Sequence, residues 1–423
     1  MPAAAAHVEN FGGVMDYQEL FPVPVEWLGD VDLSMASTVS GWADAEVMTG
    51  RLEHHEDYEG LLVPAMRKLF IDIGLQAMLW PDELGGGGLD SPEAAMTLTA
   101  ILEQVGRADT GIGFLLANWF AIQSAIAIGP GRNETLLKGS AEIICGDEIL
   151  FGSLVLPGYG NGAEETDFFG LPYQATARKS GEWWVLSASG ARPQCAGSNA
   201  HMFGVVAATD KGEPGLFLVP SMSPVVSVGN PLKLAGLAAS INAEITIDAA
   251  ELPAKHLLLE GVENIRGVLS WYYTLCSAVC CGALLASYEI LKEWVDTRVI
   301  KGKGQVFKEN PLVASLLGEI GAKTGLARIA TYNIARMLAK PETYGPAGSG
   351  PVAATATAAF KTVARSAMDA MDNTMELMGS AGYATEWNLE RYWRDVKTLE
   401  ASVVPETVAQ TDMARHYFDL KKL

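Results

Sequence analysis

The residues here whose types and spacing could do chemistry begin with a glycine pair near the C-terminus. In ELMGSAGYATEWNLERYWRD, from Glu376, Gly379 and Gly382 bracket Ser380 and permit close backbone approach and unusual dihedrals. Successive backbone N–H groups in such a turn can hold an anion. The plainer alternative is that the two glycines only end a helix. A second series, Gly158, Gly160 and Gly162 in PGYGNGAEE, has phosphate-loop spacing. No following helix is marked that would aim its N-terminus at a phosphate, so it reads as a plain loop. Cys145, Cys195, Cys276, Cys280 and Cys281 lack the paired spacing of a metal site, and three of them share one apolar helical run. They read as reduced core thiols, and no metal is expected. His201 and His256 stand singly in strand contexts and read as structural. Trp271, Tyr272 and Tyr273 open a buried helix, where aromatic rings pack.

The chain that must position these groups has 423 residues, more than one hydrophobic core usually organises, so two or three domains are expected. Its composition, 49% hydrophobic and 19% charged, is that of an ordinary globular protein. A formal net charge of −20 repels a phosphate backbone, and no Lys/Arg cluster forms a nucleic-acid stripe or a polybasic anchor. A polyphosphate ligand such as coenzyme A or FAD would need single basic residues or helix N-termini working against that field. MPAAAAHVENFGG lacks the basic start and apolar stretch of a signal peptide, and no window reads as a membrane span. The expected compartment is the cytoplasm, without membrane insertion.

Three textures follow one another and predict an α+β, mostly α chain. Residues 1–150 are expected to form a helical domain, with apolar three- and four-residue spacing in Leu61, Leu62, Met66, Leu69 and Phe70, and again in Leu98, Ile101, Leu102 and Val105. WPDELGGGGLDSPEAA interrupts it, because four glycines cannot sit in a stable helix; Ser91 and Pro92 then start the next one. Residues 151–262 carry short β-type runs at Trp183, Phe203, Gly215, Val225 and Ala243, separated by turns, which predicts a small antiparallel sheet and no βαβ units. Residues 263–423 return to long helices, around 270–297, 311–337 and 353–378, as a four-helix-bundle-like domain. KPETYGPAGSGP between the last two predicts an exposed loop.

This order, with four local strings, resembles the acyl-CoA dehydrogenase family from about residue 61 to 418. WPDELGGGGLD is similar to the family's Pro-acidic-Gly-Gly loop, and KLAGLAASINAEITIDAAELPAKHLL to its last strand and the exit to helix. In LLASYEILKEWVDTRVIKG, Arg298 falls on the arginine of an Arg-x-x-Phe-Gly motif, with Lys301 in place of the phenylalanine. The string from Glu376 is similar to Gly-Gly-x-Gly-Tyr followed by Arg-Asp, with Ser380 replacing the second glycine and Arg394-Asp395 as the pair. In the family the turn and the arginine bind the adenosine diphosphate end of an FAD whose flavin is held by a neighbouring subunit. The resemblance therefore implies Arg298, Gly379, Ser380 and Gly382 as cofactor-binding residues, at least a dimer and usually a tetramer, an acyl-CoA substrate, and electron-transfer flavoprotein as a possible partner. Arg394 and Asp395 read better as an ion pair within the bundle.

The same resemblance marks what is missing. The family's carboxylate base takes an α proton from an acyl thioester as hydride leaves the β carbon for the flavin. One of its two positions counts to Val403, the other to Tyr272, and neither can act as a carboxylate. Glu400 and Glu406 stand three residues from the first position and read as surface carboxylates at a helix end. The flavin-facing Leu-Thr-Glu-Pro has become Leu154, Val155, Leu156 and Pro157, and GARPQCAGSN lacks the tryptophan of Trp-x-Thr-Asn, offering Arg192, Gln194 and Asn199 instead. Three readings stand. The first is the non-catalytic partner of a homologous acyl-CoA dehydrogenase subunit, lending the adenosine side of an interfacial FAD site. The second is an active flavoenzyme of shifted chemistry, desulfinase- or monooxygenase-like. The third is a flavin-free acyl-CoA-binding protein or scaffold.

Overall fold

The computed structural model describes residues 17–50, 58–158, 167–168 and 171–420. Of the glycine series named above, Gly160 and Gly162 lie outside these residues, as does the N-terminal MPAAAAHVENFGG. The first helices are α1 (Asp30–Trp42), α2 (Ala94–Ala108), α3 (Thr110–Ala127) and α4 (Glu134–Ile144). Asp109 separates α2 from α3 and caps the latter, its Oδ1 accepting from the Ile112 N–H at 2.9 Å. Every residue of α3 is buried, so it has no amphipathic face to show. Gly85 (φ +85°) and Gly88 (φ +69°) turn the chain in the loop before α2, and that helix begins at Ala94, a turn beyond Ser91 and Pro92.

Eight strands make the main sheet that follows: β1 (Gly152–Val155), β2 (Ala175–Ser180), β3 (Trp183–Ala191), β4 (Met202–Thr209), β5 (Pro214–Pro220), β6 (Val226–Pro231), β7 (Ala243–Pro253) and β8 (Leu257–Glu260). Their order is β8-β5-β4-β2-β3-β7-β6, with β1 also paired to β4. The sheet is mixed and not purely antiparallel as the turn spacing predicts: β1 and β2 both run parallel to β4, with Leu154 opposite Gly204 and Thr176 opposite Ala208. Parallel partners lie far apart in sequence and leave no hairpin signal between them.

The chain then enters α5 (Val262–Thr297), α6 (Pro311–Ala339), α7 (Gly350–Met378), α8 (Leu389–Val403) and α9 (Glu406–Tyr417). Helix α5 crosses α2 backbone to backbone. A Cβ on Gly282 would stand 2.0 Å from the Glu103 carbonyl oxygen, and one on Gly106 would stand 2.4 Å from that of Val279. Only glycine permits this approach, which seats the 36-residue helix against the N-terminal helices in one continuous core. The segment between α6 and α7 is held tightly, contrary to the exposed loop its prolines and glycines suggest. Pro341–Tyr344 makes a helical turn, Ala347 O accepts from Ser270 Oγ at 2.7 Å, and Gly348 lies against the Glu263 carbonyl of α5.

Two helices, α3 and α5, do reach the length and apolarity of a membrane span, with mean hydropathy 1.3 and 1.6, which corrects the reading of the sequence windows. Burial explains their composition, since the apolar window of α3 is wholly covered and that of α5 is 89% covered by protein.

Candidate functional site

The two flavin-facing strings and one of the two base positions converge. Tyr272 on α5 is fully buried, its ring 6.3 Å from Phe114 of α3 and 6.0 Å from Tyr273. Its hydroxyl donates to Gln194 Oε1 at 3.1 Å. The Gln194 N–H donates to Leu154 O (2.8 Å), the Leu154 N–H to Asn118 Oδ1 (3.2 Å), and Asn118 Nδ2 to Phe114 O (2.9 Å). Alongside, the Cys195 N–H donates to Ser153 Oγ at 3.1 Å, and Gln174 joins the ends of the two strings, donating to Leu156 O (2.6 Å) and accepting from the Arg192 N–H (2.8 Å). The polar groups of Tyr272, Asn118, Ser153 and Gln174 are thus hydrogen-bonded within the protein. Burial, with Cys276 and Cys195 adding, pushes the Tyr272 phenol well above its usual range, so it stays neutral and cannot take a proton from carbon. Burial likewise pushes the Cys195 thiol up to about 12, and Cys276 and Cys280 well above their usual range, which leaves them inert.

At the other base position, Val403 is buried in the last turn of α8. Its neighbour Val404 lines a cavity of about 20 Å³ with Arg266, Ser270, Tyr273, Thr357 and Asp412. That is room for about one water and not for an acyl chain. The two nearby carboxylates are engaged elsewhere. Glu400 is buried, and its Oε2 accepts from Lys397 Nζ at 2.8 Å. Glu406 is half exposed, accepts from Gln410 Nε2 at 2.9 Å and faces Lys361 Nζ at 3.4 Å.

Arg298, Gly379, Ser380 and Gly382, which the resemblance assigns to an adenosine side, lie in a different region, exposed except at Gly382. Arg298 follows the last residue of α5 with its guanidinium 4.5 Å over the Trp294 ring and 6.0 Å from that of Phe307. Phe307 thereby supplies an aromatic partner where the motif's own position holds Lys301. Gly379 (φ +61°) ends α7 and opens a helical turn through Tyr383, with Ser380 exposed and Gly382 buried against Met375. A few residues on, Trp387 meets Trp294 edge to face at 5.2 Å, tying the region of the turn to that of Arg298. Among the described residues Arg298 has no ion pair.

Arg394 and Asp395 do not form the expected pair, because successive helix residues point to different faces. Arg394 donates to Ala235 O at 2.7 Å and faces Glu390. Asp395 accepts from the Leu237 N–H at 2.5 Å and pairs with Arg391 at 3.4 Å. Arg391, 1% exposed, also reaches Asp109 at 3.3 Å, so one buried arginine links α8 to the α2–α3 junction. Sequence reasoning missed Arg391; its spacing of four from Asp395, inside the apolar stripe of Leu389, Tyr392, Val396 and Leu399, was the available signal.

Helices, a mixed sheet and a second set of helices sharing one core, with these two regions, define the acyl-CoA dehydrogenase class of fold. Butyryl-CoA dehydrogenase from Megasphaera elsdenii superimposes with a TM-score of 0.74 at 18% identity, covering 92% of this chain and 99% of that one. A glutaryl-CoA dehydrogenase from Mycobacterium smegmatis in complex with FADH2 does so at 0.74 and 18%, covering 95% and 97%. Residues 260–403 match the family description "Acyl-CoA dehydrogenase, C-terminal domain". The mitochondrial short-chain specific acyl-CoA dehydrogenase of Mus musculus is 26% identical over 92% of this chain and 90% of its own length. Residues 260–403 thus carry the acyl-CoA dehydrogenase C-terminal domain, and the chain as a whole has the acyl-CoA dehydrogenase fold.

The family's flavin cofactor fits this chain in one half only. Exposed Arg298 and Ser380, with the bend at Gly379, suit an adenosine diphosphate end. Around Tyr272 the chain of hydrogen bonds through Gln194, Leu154 and Asn118, with the full burial of its ring, does not suit a flavin ring.

Proposed function

We propose that this chain is the non-catalytic subunit of a heteromeric acyl-CoA dehydrogenase, lending Arg298 and the Gly379–Tyr383 turn to the adenosine side of an FAD whose flavin and base belong to a homologous partner. The observation that carries this reading is Tyr272: a fully buried, hydrogen-bonded phenol stands at a base position and fills the space beside the flavin-facing strings. Valines at 403 and 404 support it at the other base position. Retention on one side and loss on the other is the pattern expected of a shared interfacial site in which one subunit keeps only what it presents to its neighbour. The mouse relative's name supports an acyl-CoA thioester as the substrate of the complex, and the FADH2 in the glutaryl-CoA dehydrogenase structure supports FAD as its cofactor. The assembly is then a heterodimer, or a tetramer of two such pairs.

Co-expression with an acyl-CoA dehydrogenase homologue that carries the carboxylate base, followed by affinity capture through this chain, tests the reading. A yellow complex with dehydrogenase activity is expected, and Arg298→Ala should lower its flavin content. Capture of this chain alone, colourless, with every such homologue from the same genome would contradict it.

A further inference from the structure

Helix α9 is far less anchored than the helix before it. Helix α8 buries eight of its fifteen residues, whereas α9 buries only Ala409 of its twelve. Apolar burial is what fixes a short helix to a protein, because an isolated helix below about 12–15 residues is marginal in water. Val404 (φ −155°, ψ 133°) and Pro405 (φ −59°, ψ 141°) join the two helices as extended backbone, and no side chain caps the start of α9. Charge does much of the holding. Lys361 of α7 faces Glu406, the first residue of α9, at 3.4 Å, and Arg266 of α5 reaches Asp412 at 2.9 Å. His416 rests against Gly350 at the start of α7. Beneath α9 lies the cavity of about 20 Å³ beside the Val403 position: Val408, Ala409 and Asp412 form one wall, and α5 and α7 supply the others through Ser270, Tyr273 and Thr357.

We propose that α9 is a hinged strap that swings on Val404 and Pro405, parts the Arg266–Asp412 and Lys361–Glu406 pairs, and opens the cavity beside Val403 to solvent. Both latches suit a strap that lifts. Glu406 is half exposed and Arg266 keeps 30% of its side chain in solvent, so salt screens these pairs and each contributes little to holding the helix. Lifting α9 also hydrates Asp412 and Lys361, which offsets part of the attraction lost. No other element has to move. Helices α7 and α8 stay in the core through their own buried residues, so the opening is a local one that lies well below global unfolding. In the closed form the cavity has room for about one water, and the strap sets when anything larger can reach it. The inference stands on the packing of α9 alone and is independent of the subunit reading above.

An Ala409→Cys substitution in the full chain puts a reporter on the buried face of α9, where the cavity has room for the sulfur. Its reaction with a chromogenic aryl disulfide is followed under native conditions, with Cys276, Cys280 and Cys281 as buried internal standards. The introduced thiol should react well before those three. It should react about three- to tenfold faster when Asp412→Asn and Glu406→Gln are added, and faster at about 0.5 M than at about 0.05 M salt, because both changes weaken the latches. Hydrogen exchange of the unaltered chain, read by mass spectrometry, gives a second measure that needs no substitution: amides of 407–417 should exchange at least about tenfold faster than those of 390–403. An introduced thiol no faster than the buried three, a rate indifferent to the two latch substitutions, or α9 amides as slow as those of α8 would each overturn the proposal.

Discussion

At the scale of single residues, the place of Tyr272 in the structure could be reached from the sequence because helical register carries position faithfully. Counting along one uninterrupted helix from Arg298 through Gly282 reaches Tyr272, and the structure finds that residue buried among the flavin-facing strings. What the sequence could not disclose was the hydrogen-bonded chain of Tyr272, Gln194, Leu154 and Asn118, since its members come from four separate segments. Tyr272→Phe should leave Gln194 Oε1, which is only part-buried, without its donor and cost about 0.5–1.5 kcal/mol in urea unfolding, the net worth of one hydrogen bond. Flavin content of the co-purified complex should not change. Asp395 serves two elements at once, so Asp395→Ala should cost about 3 kcal/mol, because it leaves the Leu237 N–H and part of the Arg391 charge uncompensated.

The two β-domain histidines give a pH dependence whose sign follows from burial. Burial holds the imidazoles of His201 and His256 below the ordinary range, and the Leu218 carbonyl, accepting from His256 Nδ1, offsets this only in part. Unfolding returns both to a pKa of about 6.5, so below that pH the unfolded chain takes up protons that the folded chain refuses. Stability should therefore fall as the pH drops through that value, and a His201→Phe/His256→Asn variant should lose less between neutral and mildly acid pH in urea titrations.

At the scale of elements, the long helices were legible from periodicity, whereas β1, β2 and β8 were not. β1 and β8 are only four residues long, and β2, ATARKS, alternates too weakly to stand out. The parallel pairings of β4 were hidden for another reason: they depend on chain that returns from a distance. The segment before α7 was misjudged because glycine and proline mark only the absence of helix, and not whether the resulting backbone is exposed or wedged against α5. The α2–α5 crossing supplies the test at this scale. In an open helix Gly→Ala would stabilise by up to about 1 kcal/mol. For Gly282→Ala the new methyl would meet the Glu103 carbonyl, and the clash should win, with a net loss of about 1–3 kcal/mol or more by thermal or urea unfolding.

At the scale of the whole molecule, buried ion pairs stitch the N-terminal segments to the C-terminal helices. Arg328 of α6 holds Glu103 of α2 in a two-bond fork at 2.7 and 2.9 Å, and Arg107 joins Glu289 of α5 at 2.9 Å. Tyr17 donates to that same Glu289 carboxylate, seating the first described helical turn on the bundle. Together with the backbone crossing of α2 and α5, these contacts make one structural body with a single continuous core. That is what the proposed subunit role expects: packing and presented surface kept, the chain's own pocket filled with side chains.

The central claim is that this chain cannot by itself hold a working flavin and base. The most direct measurement is the visible absorbance of the full chain purified alone, before and after addition of free FAD and then of an acyl-CoA series. The account predicts a colourless protein that retains no stoichiometric flavin through gel filtration and shows no bleaching with any acyl-CoA. A yellow protein with one flavin per chain, bleached by an acyl-CoA, would contradict it.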